Sequence, residues 1–167
     1  LLADLETRVP VVYTDKFDLE GREYGVCSDH FHSGYLAAKH FLAKGRRRLA
    51  FFGLDYRPLR ERLAGFKKAL EEEKAATDER LLTLFTPETS RLAVMTRMVK
   101  ADADALYVPG TSFQAMECLH ILTYSMGVKV PLIDDRMWWC AAPSCPSTDS
   151  PINAGIPERK CLLVVAF

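Results

Sequence analysis

The sequence has no loop of the GxxxxGK[ST] type, no GxGxxG and no GxSxG, so the commonest phosphate-cradling, dinucleotide-binding and serine-hydrolase signatures are missing. Their absence weighs against an enzyme of those classes, and no cofactor is implied. No two cysteines form a CxxC pair. The five present, Cys27, Cys118, Cys140, Cys145 and Cys161, are an odd number, which disfavours both a zinc ribbon and a complete disulfide framework. A reducing cytoplasm is the expected compartment. Net charge is lacking too: 22 Lys and Arg balance 22 Asp and Glu, so no overall field draws the chain toward nucleic acid or a membrane surface. The longest uncharged apolar run, Leu162 to Phe167, falls far short of the roughly 20 residues that a spanning helix needs. Leu1-Leu2-Ala3-Asp4 has neither an initiator Met nor the basic start of a signal peptide, so sequence upstream is expected to be missing.

What is present is 167 residues, 49% of them hydrophobic, enough to bury the core of one domain. Apolar runs alternate with helical stretches, the pattern of an α/β chain with a parallel sheet flanked by helices. Strands are expected at Val9 to Tyr13, Tyr24 to Cys27, Leu49 to Phe52, Leu81 to Phe85, Ala105 to Val108 and Val128 to Ile133. Ser28-Asp29 can cap a helix carrying Tyr35, Leu36, Ala38 and Leu42, which Gly45 ends. Arg60 to Lys74 places Leu63, Phe66, Ala69 and Leu70 on one helical face. Pro87-Glu88 opens a helix with a Leu92, Met95, Val99 stripe, and Ser112 to Met126 forms another, closed by Gly127. Residues 134 to 161 show no usable periodicity.

Several residues have the chemistry for a site. Asp29, His30 and His32 bring a carboxylate and two imidazoles together and can hold a divalent metal. A loop entering a helix, with Asp29 as cap, explains the same residues. His40 and His120 lie inside expected helices, where packing is the usual fate. Cys27 at a strand end is a nucleophile only beside a base, and otherwise a small apolar residue. Arg46-Arg47-Arg48 can touch phosphate, yet three adjacent side chains on a turn make no groove-tracking patch. Trp138-Trp139 suits either a sugar face or simple packing.

Longer strings carry a resemblance. Val9-Pro10-Val11-Val12-Tyr13-Thr14-Asp15 resembles the IPVVxxD strand of LacI-type (LacI/GalR) bacterial transcriptional regulators. Lys44-Gly45-Arg46-Arg47-Arg48-Leu49-Ala50-Phe51-Phe52-Gly53 is similar to that family's HLxxxGHRRIAFIG, and Arg60 to Leu70, with Gly65-Phe66 and Ala69-Leu70, resembles its RxxGFxxAL helix. Phe85 to Ser90, Ala103 to Val108 and Met126 to Pro131 follow in the family's order, so the likeness runs over residues 9 to 131.

The resemblance implies a periplasmic-binding-protein-like domain of two lobes, of which this chain holds mostly the C-terminal one. Residues 1–44 would be a remnant of the N-terminal subdomain and crossover, 45–135 the C-terminal α/β subdomain, and 136–167 a divergent segment. It also implies a small-molecule effector, a sugar or purine-like compound, bound between the lobes. A homodimer is expected of the full-length protein, with operator DNA bound only through a missing helix-turn-helix headpiece and no membrane involved. Asp15 matches a carboxylate that accepts hydrogen bonds from the effector, Arg62 the effector-contacting arginine, and Phe85 an aromatic lining the cleft in some members. Thr111 stands where the family has the Asp of an Asn-Asp pair, and Asp135 where a cleft-lining GFDD or GYDN is sought, although Asp134-Asp135 arrives early, straight after Leu132-Ile133. Two other readings compete. A periplasmic-type sugar-binding protein shares the fold and would carry a secretory leader, while a small metal-dependent α/β enzyme using Asp29, His30 or His32 would lose activity to a chelator.

Overall fold

The computed structural model describes residues 8–14 and 25–133. Its centre is a four-stranded, all-parallel sheet in the order β4-β3-β5-β6, where β3 is Leu49–Leu54, β4 Leu82–Phe85, β5 Ala105–Tyr107 and β6 Leu132–Ile133. Two residues each of β1 (Tyr13–Thr14) and β2 (Gly25–Val26) pair in parallel as a separate ribbon. The α/β parallel architecture expected from the alternating runs is therefore the one observed.

A parallel sheet must be covered on both faces, and the strands show how. Along β3, Leu49 and Phe51 face one cluster while Ala50 and Phe52 face the other, and β5 divides Ala105 and Tyr107 from Leu106 in the same way. Helices α1 (His30–Ala43) and α2 (Arg57–Glu72) close the first face with Ala37, Ala38, Phe41, Phe66, Ala69 and Leu70. Helix α3 (Arg91–Lys100) and helix α4 (Ser112–His120) close the second with Val94, Met95, Met98, Ala115 and Cys118. Helix α1 shares one core cluster with β3 and α2. The segment 136–167 lies outside the described residues.

The α1–α2 contact is unusually close. A Cβ added at Gly34 would sit 1.9 Å from the Arg62 carbonyl oxygen, and one added at Gly65 would sit 1.9 Å from that of Phe31. The two helix backbones thus touch where both sequences offer only hydrogen. Helix ends are closed locally: after α1, α2 and α3 the chain turns through Gly45 (φ 78°), Lys74 (φ 49°) and Asp102 (φ 54°), with the paired return hydrogen bonds of a Schellman motif. Arg48 also donates from its Nε to the Ala101 carbonyl at 3.0 Å, while the Asp104 carboxylate takes the backbone N–H groups of Arg47 and Arg48. These bonds tie Arg48 and the arginine turn to the end of α3 and use them structurally.

Two expected boundaries move. Pro87-Glu88 does not open α3. Thr86 to Thr89 form a turn in which the Thr89 hydroxyl accepts from the Thr86 N–H, and Ser90 is the cap. The helix from Ser112 gives way to π-helical geometry over Ile121–Ser125, and only Leu132–Ile133 of the expected last strand is paired.

Candidate functional site

In an open parallel sheet the ligand crevice lies beyond the carboxyl ends of the strands. Helices that follow a strand start at this edge, and α1, which runs down into β3, starts there too. The edge therefore gathers the first turns of α1, α2, α3 and α4.

Asp29 caps α1, its Oδ1 accepting from the His32 N–H at 2.8 Å. His30, the first helical residue, is buried, and its Nδ1 accepts from the Arg62 Nε at 3.1 Å. Arg62 stands in the second turn of α2, half-buried. Beside it, Asp55 and Arg60 form an exposed ion pair at 2.6 Å, and the Arg60 guanidinium holds the Asp55 carboxyl below its usual range by hydrogen bonding first and charge second. On the other side of β3, Thr111 caps α4 in a full capping box: its hydroxyl accepts from the Gln114 N–H at 3.3 Å and the Gln114 side chain accepts from the Thr111 N–H. The hydroxyl hydrogen is not used by that cap and is available to donate.

The expected contacts therefore separate. Arg62 and Thr111 both stand at the carboxyl edge. Phe85 does not present its ring there: it is 1% exposed, stacked on Phe52 at 4.4 Å between centroids, with the Arg91 guanidinium 5.3 Å from its own. Its ring faces are taken up by Phe52 and the Arg91 guanidinium within the core cluster. Asp15, Asp135, Asp134 and the Trp138-Trp139 pair lie outside the described residues.

The Asp29, His30, His32 constellation is pulled apart by other partners, since the carboxylate caps the helix, His30 meets Arg62, and His32 stacks near Tyr35 at 6.1 Å. No group of three metal-competent side chains occurs among the described residues. His40 is half-buried, and burial, then the Lys44 charge, lower its pKa. Cys27 is exposed, while burial pushes the Cys118 thiol up to about 12, leaving no thiolate at neutral pH. Sequence reasoning named His30 but missed its partner 32 positions away. The available signal was topological, because both helix N-termini fall on one sheet edge.

No family model matches the chain. It is 39% identical over 88 residues to the HTH-type transcriptional regulator GntR of Pseudomonas aeruginosa, a match covering 52% of this chain and 25% of that protein. Among solved structures, a sugar-binding transcriptional regulator of the LacI family from Escherichia coli, complexed with phosphate, aligns with a TM-score of 0.58 at 22% identity, over 81% of this chain and 53% of the other. The transcriptional regulator CelR in complex with cellobiose aligns with a TM-score of 0.60 at 25% identity, over 75% of this chain and 41% of the other. The chain thus spans about half the length of these solved regulators and a quarter of the curated relative. The chain is thus similar in sequence to part of an HTH-type transcriptional regulator and shares its fold with about half the length of solved regulators of the LacI type.

Proposed function

We propose that this chain supplies one wall of an effector pocket, in which a small molecule, a sugar by preference, is held against Arg62 and Thr111 and biases the closure of two lobes. The observation that carries the reading is the half-buried Arg62 at the carboxyl edge of the sheet, with its Nε already bonded to His30. A planar guanidinium fixed at one nitrogen suits a pair of hydroxyls or a carboxylate. Sensing of this kind makes and breaks no covalent bond. The effector changes operator affinity only by its differential affinity for the two closure states. On this reading DNA contact belongs to a helix-turn-helix headpiece beyond this chain, and the whole protein works in the cytoplasm. Among the described residues no helix is long and apolar enough to cross a membrane.

The test is ligand-induced thermal stabilisation with a panel of sugars that includes cellobiose. Removing a hydrogen bond to a charged group costs about 1.5–3 kcal/mol, so Arg62→Ala should weaken a bound sugar roughly 10- to 150-fold and erase the shift while the unliganded Tm stays within a few degrees. A mutant that keeps the full shift would refute the assignment of Arg62.

A homodimer is part of the proposal. Phe113, Met116 and Tyr124 are exposed at helical spacing along α4 and its π-helical extension, with His120 between them, and Leu92 of α3 is exposed as well. An apolar stripe of that kind on a charged protein suits a second copy of the same surface. Phe113→Glu should shift sedimentation from dimer to monomer, and an unchanged sedimentation coefficient would remove this face from the interface.

A further inference from the structure

The environment of Arg62 is more specific than its role as a ligand contact requires. An arginine is always a donor, so the Nδ1 atom facing its Nε at 3.1 Å must offer a lone pair. His30 is therefore neutral and carries its proton on Nε2. It is also only 7% exposed, which suits an uncharged ring. The grip is double, because the Arg62 carbonyl lies against Gly34, one turn along α1, where an added Cβ would sit 1.9 Å away. Helix α1 thus holds both the backbone of Arg62 and the base of its guanidinium.

We propose that His30 is the positioning residue for Arg62, a neutral imidazole that fixes the orientation of the guanidinium before any ligand arrives. The inference rests on the reading of Arg62 as an effector contact. An arginine side chain loses much rotamer freedom when it binds, and a residue that orders it beforehand removes that cost from the binding step. Bidentate recognition also needs the plane of the guanidinium, not only its charge, and an Nε anchored from one side sets that plane.

The experiment uses the 167-residue chain and two variants. His30→Asn keeps an acceptor near the place of Nδ1, while His30→Leu keeps apolar volume and removes the acceptor. Nitrogen NMR of the free protein should show an unprotonated Nδ1 on His30 and a nitrogen–nitrogen scalar coupling across the bond to Arg62 Nε. Relaxation of the Arg62 Nε–H should report a rigid side chain in the wild type and in His30→Asn, and a mobile one in His30→Leu. Calorimetry with cellobiose as the probe should give similar affinities for the first two and about a tenfold loss for the third, the value of ordering one long side chain. A proton on Nδ1, or equal Arg62 order in His30→Leu and wild type, overturns the proposal. So does equal cellobiose affinity in His30→Leu when Arg62→Ala has lost it, and in that case Arg62 remains an effector contact. If cellobiose binds none of the proteins, the effector reading of Arg62 loses its support, and the NMR data alone decide the positioning role.

Discussion

Replacing Gly65 with alanine adds a single methyl group to α2, and the structure puts that group 1.9 Å from the Phe31 carbonyl oxygen and 3.0 Å from the Tyr35 nitrogen. An ordinary carbon–oxygen contact is about 3.3 Å, so the two backbones would have to part by about 1.4 Å at their crossing. Both obstructing atoms are main chain, which leaves no rotamer through which the strain can escape. Overpacking of this severity costs about 3 kcal/mol. Alanine returns about 1 kcal/mol through its helix propensity, so the expected net loss is about 2 kcal/mol. In urea that is a midpoint lower by about 1 M at a slope of about 2 kcal/mol/M, and in a thermal melt it is a Tm lower by about 4–8 °C. The neighbouring exposed Ala64 supplies the control, since Ala64→Gly should cost only the propensity term of about 1 kcal/mol. The reasoning predicts that adding a methyl group at 65 and removing one at 64 both destabilise. An unchanged or higher urea midpoint for Gly65→Ala, at an unchanged slope, would refute the close helix crossing. The substitution should also blunt ligand-induced stabilisation, because the same crossing brings His30 to Arg62.

Two further expectations follow from the ends of elements. Lys74 holds a left-handed conformation (φ 49°) at the end of α2 where α1 has Gly45, and Lys74→Gly should stabilise the chain by about 1 kcal/mol. A melt that fails to rise by about 2–4 °C counts against it. Asp78 caps the short 3-10 turn Glu79–Leu81, and hydrogen bonds from the Arg80 side chain, then its backbone N–H, hold its carboxyl down to about 2 from 3.8. A depressed folded-state value means that its contribution is complete above the unfolded value near pH 4 and fades as pH falls toward 2. Asp78→Asn should therefore have a Tm that declines less steeply over that interval than the wild type, and parallel curves would count against the pairing.

Much of the layered fold was legible in the sequence because periodicity reports burial directly. Leu49-Ala50-Phe51-Phe52 is a continuous apolar run because both faces of β3 are covered, and the Phe66, Ala69, Leu70 face of α2 is the face that packs. Element ends were less legible. The apolar pattern from Ser112 runs on without a break through Ile121–Ser125, so nothing in the spacing marks the change to π-helical geometry. Pro87 suggests a helix start, but the Thr89 hydroxyl closes a turn first. Site residues divide by the same logic. Arg62 stood out because a motif singled it out, whereas an aromatic at a strand end, such as Phe85, has the same sequence appearance whether it lines a cleft or packs on Phe52. The bond between His30 and Arg62 depends on a helix crossing that only the glycine pair hints at.

Strand β4 has a neighbour on one side only among the described residues. An open strand edge is a template for pairing with another chain, and its neighbourhood decides whether that happens. Here the nearby surface carries Arg97 and Lys100, and the Arg97 guanidinium reaches the strand itself, donating to the Thr83 hydroxyl at 2.6 Å. Two copies approaching edge to edge would bring these like charges together within a screening length of about 8 Å at physiological ionic strength. The guarding of this edge is therefore electrolyte-dependent: strand-mediated clumping should be suppressed in dilute buffer and released as salt rises, and a charge-reversed Arg97→Glu chain should cross-associate with the wild type.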